Sequence, residues 1–159
     1  MKIIEYENIS YFYGKNEVEF CLKNINFSIL NNEFITFLGA NGSGKSTLLK
    51  IAAGLLTPRL GKLNLFNKDI TKYRRVDISK LVAYVPQLYY SVYPFSIFEI
   101  VMMWRNPHLS VFGYEQSVDI ELVNDILEKV GICNLRNKSI NEVSGGEAQR
   151  AFIADRKSV

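Results

Sequence analysis

Gly39-Ala40-Asn41-Gly42-Ser43-Gly44-Lys45-Ser46-Thr47 decides how the rest of this chain is read. Three glycines within six residues would be costly in a helix, so Gly39–Gly44 is expected to be a loop. The nine residues fit G-x-x-x-x-G-K-[S/T], between an apolar run, Phe34–Leu38, and a stretch of helical character, Lys45–Ala53. Glycines let successive backbone N–H groups turn inward around an anion. A helix starting at Lys45 adds its free N–H groups and the positive end of its dipole. Lys45 is expected to reach the β- and γ-phosphates of a nucleotide as a point charge, and the Ser46 hydroxyl to ligate Mg²⁺. The element is therefore predicted to bind phosphate, with Gly54 ending its helix.

Upstream of this loop, Ile3–Ile9 and Phe20–Ile29 alternate like half-buried strands, the second through Leu22, Ile25, Phe27 and Ile29. Turns are expected at Gly14-Lys15-Asn16 and Asn31-Asn32. Phe34–Leu38 is a short apolar run of the kind that forms a buried strand in an α/β sheet. Downstream, Pro58 and Gly61 bound a loop, Lys62–Phe66 reads as a strand and Asn67-Lys68 as a turn. Leu81–Val85 is predicted to be a second buried strand, stopped by Pro86. Beyond Gln87 the pattern becomes helical. Ser96–Trp104 opens with Ser96 as N-cap and Glu99 three residues on. A loop containing Asn106-Pro107 and Gly113 follows. Val118–Val130 is amphipathic, with Leu122, Ile126, Leu127 and Val130 on one side, and Glu147–Ala154 begins a further helix.

Nearly half the residues are apolar (48%), enough for a packed core. The net charge of +3 comes without a dense Lys/Arg block. Lys72, Arg74 and Arg75 are read as a solvated loop, and no nucleic-acid partner is expected. The opening MKIIEYENIS carries Glu5 and Glu7 and no apolar core, so no signal peptide is expected. No apolar stretch approaches the roughly 20 residues that span a bilayer. Cys21 and Cys133 have no metal-ligand spacing, which favours a reduced, cytosolic setting. Membrane association would then come through a partner.

Val143-Ser144-Gly145-Gly146-Glu147-Ala148-Gln149-Arg150 alone would be a loop and a helix N-cap. Together with the phosphate loop it resembles the Leu-Ser-Gly-Gly-Gln/Glu signature of the ATP-binding-cassette (ABC) ATPases, with Val143 in place of the leucine. The resemblance runs over residues 1–154. It implies an α/β fold with a P-loop NTPase core, an N-terminal antiparallel β subdomain and a helical subdomain. Two such cassettes would sandwich two ATPs, with Ser144, Gly145, Gly146 and Glu147 facing the γ-phosphate held by the other subunit. Composition leaves Tyr11, Phe12 and Tyr13 equal, and the position just before Gly14 matches Tyr13 to the family's adenine-stacking aromatic. Gln87 matches the glutamine that contacts Mg²⁺ and the attacking water, so Gln87 and Lys45 are the implied catalytic residues present.

A narrower resemblance lies in Tyr93–Leu109, which is similar to importers of iron–siderophore complexes, haem, cobalamin and related chelates through Arg105, Pro107 and His108. His108 itself is read as packing in its loop, with no metal role. Some of Tyr89, Tyr90, Tyr93 and Phe95 are expected to offer a surface to a permease. The implied protein is an ATP hydrolase coupled to transport, a homodimer on the cytoplasmic face of the cell membrane; the alternatives are an ABC ATPase for another cargo and a truncated nucleotide-binding remnant without catalysis. It would bind an integral-membrane permease and, indirectly, a substrate-binding protein. The implied layout is 1–87 for the β subdomain and phosphate-loop core, 88–143 for the helical subdomain, and 144–154 for the signature helix start. The pattern breaks at Asp155–Val159. The aspartate and glutamate of the Walker B strand and the switch histidine are expected to be missing, leaving the chain inactive alone. Residues 155–159 are expected to be an artefactual tail, since they can be encoded by GATCGGAAGAGCGTC, which resembles the start of a sequencing adapter; a truncated or frameshifted gene is the alternative.

Overall fold

The computed structural model describes residues 1–14, 21–86, 93–103 and 117–154. Its contacts divide the chain into two units, Met1–Tyr84 and Val85–Val159.

In the first unit, β1 (Lys2–Phe12) and β2 (Cys21–Leu30) pair antiparallel, and β3 (Leu60–Leu65) joins the other edge of β1. With the two-residue β4 (Lys68–Asp69) the sheet order is β2-β1-β3-β4. Helix α1 (Lys45–Ala52) shares one core with this sheet. Leu48, Ile51 and Ala52 cluster with Tyr6, Ile9, Tyr11, Leu22 and Leu63. Ile9 and Ile51 are fully buried, each such side chain contributing roughly 1.5–3 kcal/mol. The C-terminus of α1 closes as expected. Gly54 donates its N–H to Ile51 O at 3.0 Å, and Leu55 to Lys50 O at 2.9 Å, the paired bonds of a Schellman motif.

The alternation along β1 is broken once. Tyr6, Ile9 and Tyr11 are its buried residues, so the spacing is three and then two. Asn8 supplies the extra residue, with φ +51. Both neighbouring strands register the bulge, through Tyr6↔Phe27 then Ile9↔Ile25 on β2, and Glu7↔Lys62 then Ser10↔Leu60 on β3. Strand β2 carries a matching irregularity at Asn24, φ +49. The two are tied reciprocally: Asn8 N–H donates to Asn26 Oδ1 at 2.8 Å, and Asn24 N–H to Ser10 Oγ at 3.0 Å.

Two predicted strands are absent. Residues 33–40 are irregular, with Phe34 96% and Leu38 89% exposed. Leu81 ends a helix, α2 (Arg75–Leu81), and 82–86 are irregular. Apolar composition marks a run for burial, but a strand exists only within a ladder, and no described residue pairs with either run. Helix α2 went unpredicted because its seven residues bury only Ile78. The β3–β4 turn falls one residue early, on Phe66-Asn67, with φ of +49 and +61, the backbone of a two-residue type I′ hairpin.

In the second unit, α3 (Ile97–Met103), α4 (Ser117–Lys129) and α5 (Gly145–Ala154) surround a core of Ile97, Ile100, Val123, Ile126, Leu127 and Phe152. The start of α3 is fastened to the 136–140 segment, Ile97 donating to Lys138 O and Phe98 to Arg136 O, while Ile140 donates to Phe95 O. The Ser96–Glu99 capping box forms as predicted, both the N–H and the hydroxyl of Ser96 reaching Glu99 Oε2 at 2.8 Å. Among the described residues no helix is long and apolar enough to cross a membrane.

Candidate functional site

Gly42 (φ +81) and Gly44 (φ +93) hold the turns of the 39–44 loop in backbone that a side chain would strain. Gly44 is also the N-cap of α1. It brings no side-chain cap, and the first turn contains no acidic residue, so no carboxylate competes for the helix N-terminus. The Lys45 side chain folds back across the loop. Its ammonium donates to Gly39 O at 2.9 Å, Ala40 O at 2.7 Å and Ser43 Oγ at 3.3 Å. Ser46 is exposed and Thr47 buried. A positive charge, an uncapped helix start and an exposed hydroxyl thus converge on one small loop. That combination suits an oxyanion of high charge density.

The three consecutive aromatics that composition left equal are separated by their surroundings. Tyr11 is buried in the core, while Phe12 has the Arg59 guanidinium over its ring, 5.3 Å from the centroid. Tyr13 is 41% exposed, and its hydroxyl lies 3.0 Å from Thr47 Oγ1. Tyr11 meets it edge-on, with centroids 5.0 Å apart. Tyr13 is therefore the aromatic placed beside the first turn of α1. Nearer the strand's start, the buried Tyr6 hydroxyl donates to Leu48 O at 3.0 Å, and burial raises its pKa above the usual phenol range.

In the second unit, Ser144 precedes α5 and Gly145 and Gly146 form its first residues. Ser144 N–H and its hydroxyl both donate to Glu147 Oε2, at 2.8 and 2.7 Å. The Ser144 hydroxyl and then its N–H hold the Glu147 carboxyl below the ordinary range. Glu147 N–H donates back to Ser144 Oγ at 3.4 Å, so the two residues close a reciprocal capping box at the start of α5.

The ABC transporter family profile matches residues 22–156. The chain belongs to the ABC transporter family. An ATP-binding protein of Helicobacter pylori named for iron chelatin transport is 33% identical over 153 residues, 96% of this chain and 59% of that protein. The zinc transport ATP-binding protein AdcC of Streptococcus pneumoniae is 35% identical over 157 residues, 97% of this chain and 64% of its own length. A bacterial ABC transporter cassette solved as a dimer superposes with a TM-score of 0.82 at 25% identity, over 96% of this chain and 68% of that one. The chain therefore has the ABC cassette fold and spans about three-fifths of the curated relatives it matches.

Of the residues that the sequence assigned to an ABC site, Gly39–Thr47 and Tyr13 come together in the first unit, and Ser144–Glu147 form the start of α5 in the second. Gln87, Tyr89, Tyr90, Arg105, Pro107, His108 and the tail 155–159 lie outside the described residues. Asn8 and Asn26 escaped the sequence reading, and Gly61, read there as a loop boundary, lies inside β3. Their one signal was the three-residue step from Tyr6 to Ile9 in an otherwise alternating strand.

Proposed function

We propose that this chain binds Mg·ATP through Gly39–Thr47 and belongs to the ATP-hydrolysing subunit of an importer for an iron chelate or related metal complex, such as a siderophore, haem or cobalamin. The observation that carries nucleotide binding is the uncapped start of α1 with the Lys45 ammonium folded over its loop. Backbone N–H groups of residues 42–47 and Lys45 would hold the phosphates, and the exposed ring of Tyr13 would stack on the base. Among the described residues no group of three or more His, Cys, Asp or Glu could hold a metal ion. The Ser46 hydroxyl and Gln87 would hold Mg²⁺ together with phosphate oxygens. Bound there, the ion would offset phosphate charge.

In this reading Ser144, Gly145, Gly146 and Glu147 meet the γ-phosphate of a second, identical cassette. Closure of the pair would drive an integral-membrane permease at the cytoplasmic face of the membrane, fed by a substrate-binding protein. The iron chelatin relative supports the cargo class; the zinc relative supports a second reading, a cassette serving another metal. Titration calorimetry with ATP tests the binding claim, and no heat of binding would refute it. Uptake of radiolabelled ferric siderophore and of zinc, in cells lacking the gene, separates the cargoes. Loss of zinc uptake alone would refute the iron-chelate reading.

A further inference from the structure

Asn8 lies on the solvent side of β1 and is that strand's only residue with positive φ. Its extra residue changes the side-chain phase of the strand. Ile4 and Tyr6 face the core before it, Ile9 and Tyr11 after it. Unbroken alternation from Tyr6 would instead turn Ser10 and Phe12 toward α1 and carry Tyr11, which packs edge-on against Tyr13 just past the strand's end, to the opposite face. Two features lock the bulge. Asn26 Oδ1 accepts the Asn8 N–H, and Gly61 of β3 lies so close that a Cβ there would stand 2.4 Å from the carbonyl oxygens of Glu7 and Asn8. Only a residue without a side chain fits opposite the bulge.

We infer that the Asn8 bulge, locked by Gly61 and Asn26, is the positioning device that presents Tyr13 to the nucleotide base. Tyr13 follows directly on the rephased strand, against Tyr11, and its hydroxyl reaches Thr47 in the first turn of α1. The bulge thus brings the base platform to the helix that follows the phosphate loop. This inference rests on the proposed nucleotide site.

The test compares ATP with inorganic tripolyphosphate, which has no base, by titration calorimetry on the full 159-residue chain. Asn8→Val disfavours positive φ at an exposed position, Asn8→Gly permits it, and Asn26→Ala removes the lock without crowding. Asn8→Gly is expected to keep the parent affinity for ATP. Asn8→Val and Asn26→Ala are expected to lose ATP affinity, by up to the about five- to 150-fold that stacking provides. Their tripolyphosphate affinity is expected to match the parent's. In a Tyr13→Ala background Asn8→Val is expected to cost nothing more. Equal losses toward both ligands, or a full additional loss on top of Tyr13→Ala, would overturn the inference and leave the bulge a purely structural feature. A parent that binds both ligands equally would overturn base stacking, and this inference with it, while sparing the phosphate loop. A parent that binds neither would overturn the proposed function as well.

Discussion

Lys45→Ala separates the charge of the phosphate loop from its shape. The ammonium makes two hydrogen bonds of good length, at 2.9 and 2.7 Å, and a longer one at 3.3 Å, all within its own loop. These bonds lie near solvent and end on uncharged oxygens, so together they stabilise the free protein by about 1 kcal/mol. Their loss would lower Tm by about 2–4 °C in a chain of this size. Phosphate presents charged oxygens instead, and one charge-assisted bond is worth about 1.5–3 kcal/mol. The variant should therefore bind ATP about ten- to 150-fold more weakly than the parent, with its fold nearly intact. Calorimetric titration gives the first number and thermal unfolding by circular dichroism the second. Unchanged ATP affinity would refute the role assigned to Lys45. A fall in Tm beyond about 10 °C would show that Lys45 organises the loop, and that lost binding followed from lost structure.

Tyr13→Ala should weaken ATP and GTP alike by about 1–3 kcal/mol, since stacking does not read base edges; a large ATP-over-GTP preference in the parent, lost on substitution, would contradict this. Glu99 and Glu147 have folded pKa values below their unfolded ones. Their contribution to helix stability is therefore present above the unfolded pKa, about 4.3, and lost as pH falls through the lower folded values. Far-ultraviolet melts between pH 7 and pH 2 should show that loss, and it should shrink in Glu147→Gln. Leu127→Ala empties a fully buried site in the second core, and urea unfolding should register a cost of about 2–5 kcal/mol.

How far the sequence revealed this molecule depended on how local each signal was. The phosphate loop and α1 were legible because glycine spacing, Lys45 and Gly54 act within about fifteen residues of one another. Helix α3 was legible through Ser96 and Glu99, which contact each other directly. Phe34–Leu38 and Leu81–Val85 misled because an apolar run states what it avoids, water, and leaves unstated what it pairs with. The reading of Val143–Arg150 as a loop and helix N-cap found the right helix start, and the structure adds that Glu147 accepts from both the N–H and the hydroxyl of Ser144. Tyr13 was singled out by its place before Gly14; what the sequence did not supply was the phase of β1, which one asparagine resets. Periodicity alone does not say which residue of a misphased strand is the extra one; the pairing registers on both sides do.

The two tyrosine hydroxyls that reach α1 also bear on how the phosphate loop comes to exist. Tyr6 contacts Leu48 across 42 residues of chain, and Tyr13 contacts Thr47 across 34. An eight-residue helix is too short to persist alone in water. Until β1 closes onto it, residues 45–52 fluctuate, and the N–H groups at its start point nowhere in particular. The order of the nine-residue motif thus depends on contacts that close long loops. A peptide carrying Gly39–Thr47 and its flanks would hold every residue of the motif and bind phosphate poorly, and nucleotide would act on the whole chain as a folding ligand, drawing the N-terminal strand into place as it binds.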